Sequence, residues 1–314
     1  MARRIPSTPR LPRPVRAAYE HCAAVTAQQA PDLRYGVRLL PTAKRRALCS
    51  LYAFHRRVDD IAAAPLRADH KRARLRAAAQ LVVDLGQGRV DSRHPDPVAV
   101  ALGHAVGRYR LSHEPLEELV DAARDDLDRA GYQDWDQLGE YCRRRTGALG
   151  RLAVEVLGTR PGARDEPRAG EYVDALCTAV HLTHILRDLG RDAVHGRIAL
   201  PRDEVERFGC AHALWSGSGS SDADLAGLVG YQVERARSLF AQGYALFPLL
   251  DRRGGACVAA VAGIHRRLLE RIAARPTAVL RRQLDVPAPH KTLITLRGLA
   301  GHRPRQLAPH WGQD

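Results

Sequence analysis

Two sets of aspartates stand at helical spacing beside arginines. In "FHRRVDDIAAA", Asp59 and Asp60 follow Arg56 and Arg57, and in "ILRDLGRD", Asp188 and Asp192 alternate with Arg187 and Arg191. Residues i and i+4 of a helix share a face, so Asp188 and Asp192 point the same way and Asp60 lies one turn from Arg56. Carboxylates on two facing helices make an oxygen-rich site. Mg²⁺ suits such a site, because it keeps several waters and bridges to phosphate oxygens. The arginines suit the same phosphates through bidentate hydrogen bonds. Asp and Arg one turn apart also form ordinary solvated ion pairs. Here, however, both sets sit in apolar stretches, with "LYAF" before the first and "HLTHIL" leading into the second. Acids and arginines beside an apolar wall suggest a diphosphate group held with a metal.

The elements that position these residues are helices. Of the 314 residues, 45% are hydrophobic and only 5% aromatic. Ala, Leu and Arg dominate, which favours helices over sheets. Apolar residues recur at three and four in stretches such as "LCSLYAFHRRVDDIA" and "YQVERARSLFAQGYALFPLL". This period predicts helices over roughly 15–29, 42–63, 67–87, 96–108, 114–127, 134–157, 167–193, 223–250 and 254–275, with more helix within 276–304. Turn-forming breaks fall at 91–97, 158–167 and 216–222. No stretch alternates with period two, and no internal repeat is present. The fold class expected is all-α, a single domain over 15–304, with a disordered basic leader at 1–14 and a tail at 305–314.

The net charge is +14 and the isoelectric point about 10.1. Such a charge suits nucleic acid, a membrane surface or an anionic small molecule. The basic residues are spread along the chain, without interleaved aromatics to stack on bases, which argues against nucleic acid. The six cysteines, at 22, 49, 142, 177, 210 and 257, form no CxxC pair. They read as free thiols in a cytoplasmic protein. The basic, Pro-rich N-terminus lacks the apolar core of a signal peptide. The longest apolar run, "ACVAAVAGI", is far short of the roughly 20 residues of a membrane span. A peripheral contact with an anionic bilayer stays open.

Three blocks carry a resemblance. They are "YGVRLLPTAKRRALCSLYAFHRRVDDIA", "YCRRRTGALGRLAVEVLG" and "LTHILRDLGRDAVHGRIALPRDEVERFGC". In order and separation they resemble the squalene/phytoene synthase family, over roughly 15–300, and the opening block resembles its presqualene diphosphate synthase branch. The resemblance implies one isoprenoid-synthase helical domain around a central apolar cavity. It implies Mg²⁺ held by two Asp-rich motifs, here Asp59, Asp188 and Asp192, with Asp60 completing the first motif. It implies ionisation of an allylic prenyl diphosphate and attack by a carbon–carbon double bond. Arg56 and Arg187 match diphosphate-binding arginines, Tyr52 an aromatic position near the diphosphates, and Arg38 and Lys44 a block near the cavity mouth. It implies as second substrate another prenyl diphosphate, most simply farnesyl, giving presqualene diphosphate or squalene. No Gly-rich dinucleotide fingerprint is present, so NADPH use stays open.

The chain departs from the family pattern in one direction. The third acid of the first motif is Ala63, and an acid of the second is Arg191. His184 stands for an asparagine, Ala199 for a tyrosine, and His265 for a tyrosine of a later helix. The small-residue middle block reads Arg145, Thr146, Gly147. Acid is lost and positive charge gained. An enzyme that ionises one donor tolerates this better than one that holds two diphosphates. A second reading therefore stands beside head-to-head coupling: C-prenylation of an aromatic acceptor, such as a carbazole or phenazine, in secondary metabolism. There His184 would be placed among the substrate-binding groups as an acid or base, given its titration near neutrality.

Overall fold

The computed structural model describes residues 11–129, 131–163, 166–216 and 224–301. Among them the chain forms helices α1 (Arg13–Gln29), α2 (Pro31–Val37), α3 (Thr42–Ala63), α4 (Ala68–Gly86), α5 (Pro97–Tyr109), α6 (Glu114–Asp126), α7 (Trp135–Cys142) and α8 (Ala148–Leu157). They continue as α9 (Ala169–Val194), α10 (Arg202–Arg207), α11 (Ala211–Ser216), α12 (Leu225–Gly243), α13 (Arg252–Ala273) and α14 (Ala288–Leu299). A π-helical turn, Arg143–Gly147, joins α7 to α8, and 3₁₀ turns follow α12 and α13. No strand occurs among the described residues; one isolated bridge pairs Thr159 with Leu250. The all-α expectation holds.

Local chemistry sets the helix starts. Asp96, Asp134, Asp224 and Asp251 cap α5, α7, α12 and α13 by accepting a backbone N–H of the first turn. Helix α3 occupies the predicted 42–63. The predicted 134–157 is one helical run interrupted by the π turn, and the predicted 223–250 tightens to 3₁₀ over Tyr244–Leu249, around Pro248. The leader was expected to reach residue 14, but α1 already starts at Arg13, since Pro14 is tolerated in a first helical turn. Residues 1–10 of that leader and the 305–314 tail lie outside the described residues. Helices α2, α10 and α11 span only 7, 6 and 6 residues, too few to show a period. All six cysteines are free, and no helix among the described residues is long and apolar enough to cross a membrane.

Two apolar cores divide the molecule. The first joins α1, α3, α4, α5, α6 and α8 around Phe54 and Leu102. The second joins α7, α9, α12 and α13 around Leu182, Phe240 and Leu268. Helix α3 carries the first acid set and belongs to the first core; α9 carries the second acid set and belongs to the second. The run from the π turn through α8 packs against both helices and stands between them.

A buried ion pair closes one end of this frame. Lys291 of α14 is 6% exposed, and its Nζ lies 2.8 Å from Asp32 of α2 and 2.8 Å from Asp285. Asp32 is itself buried, whereas Asp285 is largely exposed. Removing one partner of a buried pair strands the other charge. Lys291→Met is therefore expected to lower stability by about 3–5 kcal/mol. Urea unfolding midpoints would show it, and a loss no greater than that of Asp285→Asn would mean that Asp32 is not stranded.

Candidate active site

Helix α9 is buried on most of its surface: Leu182, Leu186 and Leu189 are at most 1% exposed. A stripe at helical spacing, His181, His184 and Arg187, stays partly accessible. The amphipathic logic of a surface helix is thus inverted, and the polar stripe belongs to an interior helix. The His181 ring lies 6.0 Å from the Tyr141 ring of α7. His184 Nε2 lies 2.8 Å from His265 Nε2 of α13.

The second acid set lies at the end of this stripe. Arg187 donates to both oxygens of Asp188 at 2.9 and 2.8 Å, a bidentate pair. Arg191 stands 3.1 Å from Asp188, and Gln283 Nε2 donates to Asp188 at 2.8 Å. Asp192 pairs with the exposed Arg191, at 3.4 Å. Burial raises the Asp192 pKa, and the nearby Asp188 charge adds to this against Arg191. Gly190, between the two acids, allows the segment after α13 to approach. A Cβ there would fall 2.6 Å from the carbonyl oxygens of both Val279 and Leu280. Gly190→Ala is expected to push this segment, and Gln283 with it, off α9. We expect about 1–3 kcal/mol of lost stability, as for overpacking generally, read as a lower Tm. An unchanged Tm would show that the segment gives way without cost.

The first acid set is closed differently. Asp60 pairs with Arg56 at 2.6 Å, near the surface. Asp59 accepts from Arg145 Nη2 of the π turn and lies 3.4 Å from His55 Nε2. Arg145 is 6% exposed, and its guanidinium lies 5.5 Å from the Tyr141 ring centroid. Tyr52 stands two turns before Asp60, and burial pushes its hydroxyl up to about 12. Arg57 serves Asp96 of the α5 cap instead.

Other expected residues lie elsewhere. Lys44, expected near the cavity mouth, begins α3, about 22 Å along the helix axis from Asp59 at 1.5 Å per residue. Its ammonium donates to Asp251 at 2.6 Å and to the Leu157 carbonyl, which fastens α3 to the ends of α8 and α13. It clamps these helices together. Arg38 is exposed just after α2. The walls also differ from expectation. Ala and Leu make the buried faces, but the side chains between the two acid sets are His55, Arg145, His181, His184 and His265. Of these, sequence reasoning placed only His184 in the site. Arg145 had a signal, since it replaces a small residue of the middle block; His55 and His181 had none beyond their place next to the acids.

Whether Mg²⁺ fits depends on the acid set. No three His, Cys, Asp or Glu side chains among the described residues are placed to share one ion. Mg²⁺ needs only one or two carboxylates beside substrate oxygens and waters. Asp188 and Asp192 suit it. They are two like charges one helical turn apart, and the arginines that now pair with them, Arg187 and Arg191, have side chains 27% and 56% exposed, so substrate oxygens can reach both. Asp59 suits it less, because its partner Arg145 has a side chain only 8% exposed and is held in the π turn, whereas the arginines on Asp188 are 27% and 56% exposed.

These helices and this site define an all-α isoprenoid-synthase type of domain. The fold matches a ligand-bound dehydrosqualene synthase with a TM-score of 0.78 and 24% identity, over 91% of this chain and 97% of the other. It matches a squalene synthase from Alicyclobacillus acidocaldarius with a TM-score of 0.73 and 25% identity, over 85% and 97%. The family model for squalene/phytoene synthase matches residues 26–290. A phytoene synthase of Mycobacterium tuberculosis is 36% identical over 288 residues, 91% of this chain and 92% of that protein. A 15-cis-phytoene synthase of Synechocystis is 31% identical over 293 residues, 89% and 83% of the two chains. The chain belongs to the squalene/phytoene synthase family, and it is a prenyltransferase acting on prenyl diphosphates. Both sequence relatives carry the phytoene name, not that of the presqualene branch suggested by the opening block.

Proposed function

We propose that the chain ionises an allylic prenyl diphosphate at Asp188, Asp192 and Arg187, and couples the allylic group head to head with a second prenyl diphosphate. The observation that carries this reading is the second acid set, with two carboxylates and a bidentate-capable arginine on one stripe of an interior helix. Mg²⁺ bound by Asp188 and Asp192 would offset the negative charge that builds on the departing diphosphate. Arg187 would shift its two N–H groups from Asp188 to phosphate oxygens, since its fork fits both. Gln283 would hold Asp188 in place as that exchange occurs. Tyr52, beside the first acid set, would donate a hydrogen bond to the diphosphate from there without adding charge. The phytoene name of the relatives supports a twenty-carbon donor over the fifteen-carbon farnesyl group.

A second reading rests on the histidine pair. His265 Nδ1 lies 2.7 Å from the Val261 carbonyl, so it is the donor there. The neutral His265 Nε2 then accepts from His184 Nε2–H, which leaves His184 Nδ1 with a lone pair. Such a base could take the ring proton released when an aromatic carbon is alkylated.

The test is incubation with Mg²⁺ and either farnesyl or geranylgeranyl diphosphate, read by mass spectrometry and pyrophosphate release. A C30 or C40 product supports coupling and identifies the donor. No coupled product, but release of pyrophosphate that rises when a carbazole or phenazine is added, would replace it with the second reading. NADPH addition would show in the same assay whether a reduced hydrocarbon forms.

A further inference from the structure

The first acid set raises a separate question. Asp59 lies against a cation that the chain itself supplies. Arg145 is 6% exposed and sits in a π-helical turn, a distortion frequent at functional sites. Its Nη2 is on Asp59, but its Nη1 is buried without a hydrogen-bond partner. His55 Nδ1, on the other side of Asp59, is also buried and unpartnered. A buried guanidinium N–H can be satisfied only by an acceptor, and an anionic oxygen satisfies it best. A divalent ion at Asp59 would stand beside the fixed positive charge of the buried Arg145 and be repelled by it. The third acid that could share such an ion is Ala63.

We propose that Arg145 takes the place of a metal ion at the first acid motif: Nη2 neutralises Asp59 while Nη1 donates to an oxygen of the bound diphosphate. This rests on the prenyl diphosphate reading above. Asp59 is then a positioning residue for Arg145. Metal enters only at Asp188 and Asp192.

The test uses inorganic pyrophosphate and Mn²⁺ with the full chain. Calorimetry measures pyrophosphate affinity in EDTA, and electron paramagnetic resonance counts Mn²⁺ bound at saturating pyrophosphate. Arg145→Met is expected to lose at least about tenfold in EDTA affinity, the size of one charge-assisted hydrogen bond, whereas Arg145→Lys keeps most of it. Asp59→Asn, which preserves shape and guards against a misfolded Arg145 variant, is expected to leave the Mn²⁺ count unchanged. Loss of one Mn²⁺ in Asp59→Asn would overturn the proposal, because Asp59 would then be a metal ligand. Equal EDTA affinity in wild type and Arg145→Met would overturn it too, and reduce Arg145 to a structural ion pair. Wild type that binds no pyrophosphate, with or without Mn²⁺, would remove the diphosphate reading and this proposal together.

Discussion

Asp188→Asn is expected to lower kcat/KM by about 10²–10³-fold, the range found when one preorganised electrostatic contact to a developing charge is lost. The reasoning starts from what asparagine keeps. It has the same shape, and with its amide oxygen in the Oδ1 place it can still accept from Gln283 and from Arg187 Nε, which now bond Asp188 at 2.8 and 2.9 Å, while the second Arg187 bond is lost. It loses the charge. A neutral amide cannot share a divalent ion with Asp192, and it leaves the half-buried Arg187 without its counter-charge. The loss should fall on kcat as much as on KM, because the charge it answers develops only as the diphosphate departs. Circular dichroism should stay unchanged, as the helix-to-segment bond is retained. Asp60→Asn provides the contrast. Its carboxylate lies near the surface against Arg56, and its removal is expected to cost less than about tenfold, within the small worth of an exposed pair. Full activity in Asp188→Asn would refute the role of the second acid set. Equal losses in both variants would mean that the two motifs contribute alike, against the asymmetry seen in the structure.

That asymmetry was only half legible in the sequence. The spacing of Asp188 and Asp192 shows that they share a face, because helical period alone decides it. The long helices could be read the same way, and α3 lies where its apolar period puts it. What spacing cannot show is which charge a side chain meets across the fold. Arg145 is 86 residues from Asp59 in the chain, and only the packing of the π turn between α3 and α9 joins them. Lys44 illustrates the same limit: its place in a motif block gives no sign of Asp251, the partner that tertiary packing brings to it. Gln283 could not be found from sequence at all, since it reaches Asp188 from an irregular segment with no period. The shortest helices were missed for a related reason, as six or seven residues hold less than two turns of signal.

The interior histidines lead to the second large effect: the fold should be unusually sensitive to mild acid. Burial lowers the pKa of His181 to about 4, with Arg145 adding to the shift. Burial also takes His184 well below its ordinary range and lowers His55 and His265. In the unfolded chain each would titrate near pH 6.5. Between that pH and the lowered folded values, the unfolded state therefore binds more protons than the folded one. Stability then rises with pH, so it is fully present above about pH 6.5 and is lost as pH falls. Each histidine contributes up to about 1.4 kcal/mol per pH unit inside its window. The effect is sharpened at His184 and His265, whose Nε2 atoms lie 2.8 Å apart and cannot both carry a proton. Asp192, with its raised pKa, acts in the opposite sense, but only where carboxylates begin to protonate. The window from about pH 6.5 to 5 thus belongs to the histidines. Urea midpoints measured at pH 7, 6 and 5 should fall steeply, and His181→Gln should flatten the fall without changing the pH 7 slope m. A midpoint flat over this window would mean that these imidazoles gain protons in the folded state, with water entering between the two acid sets.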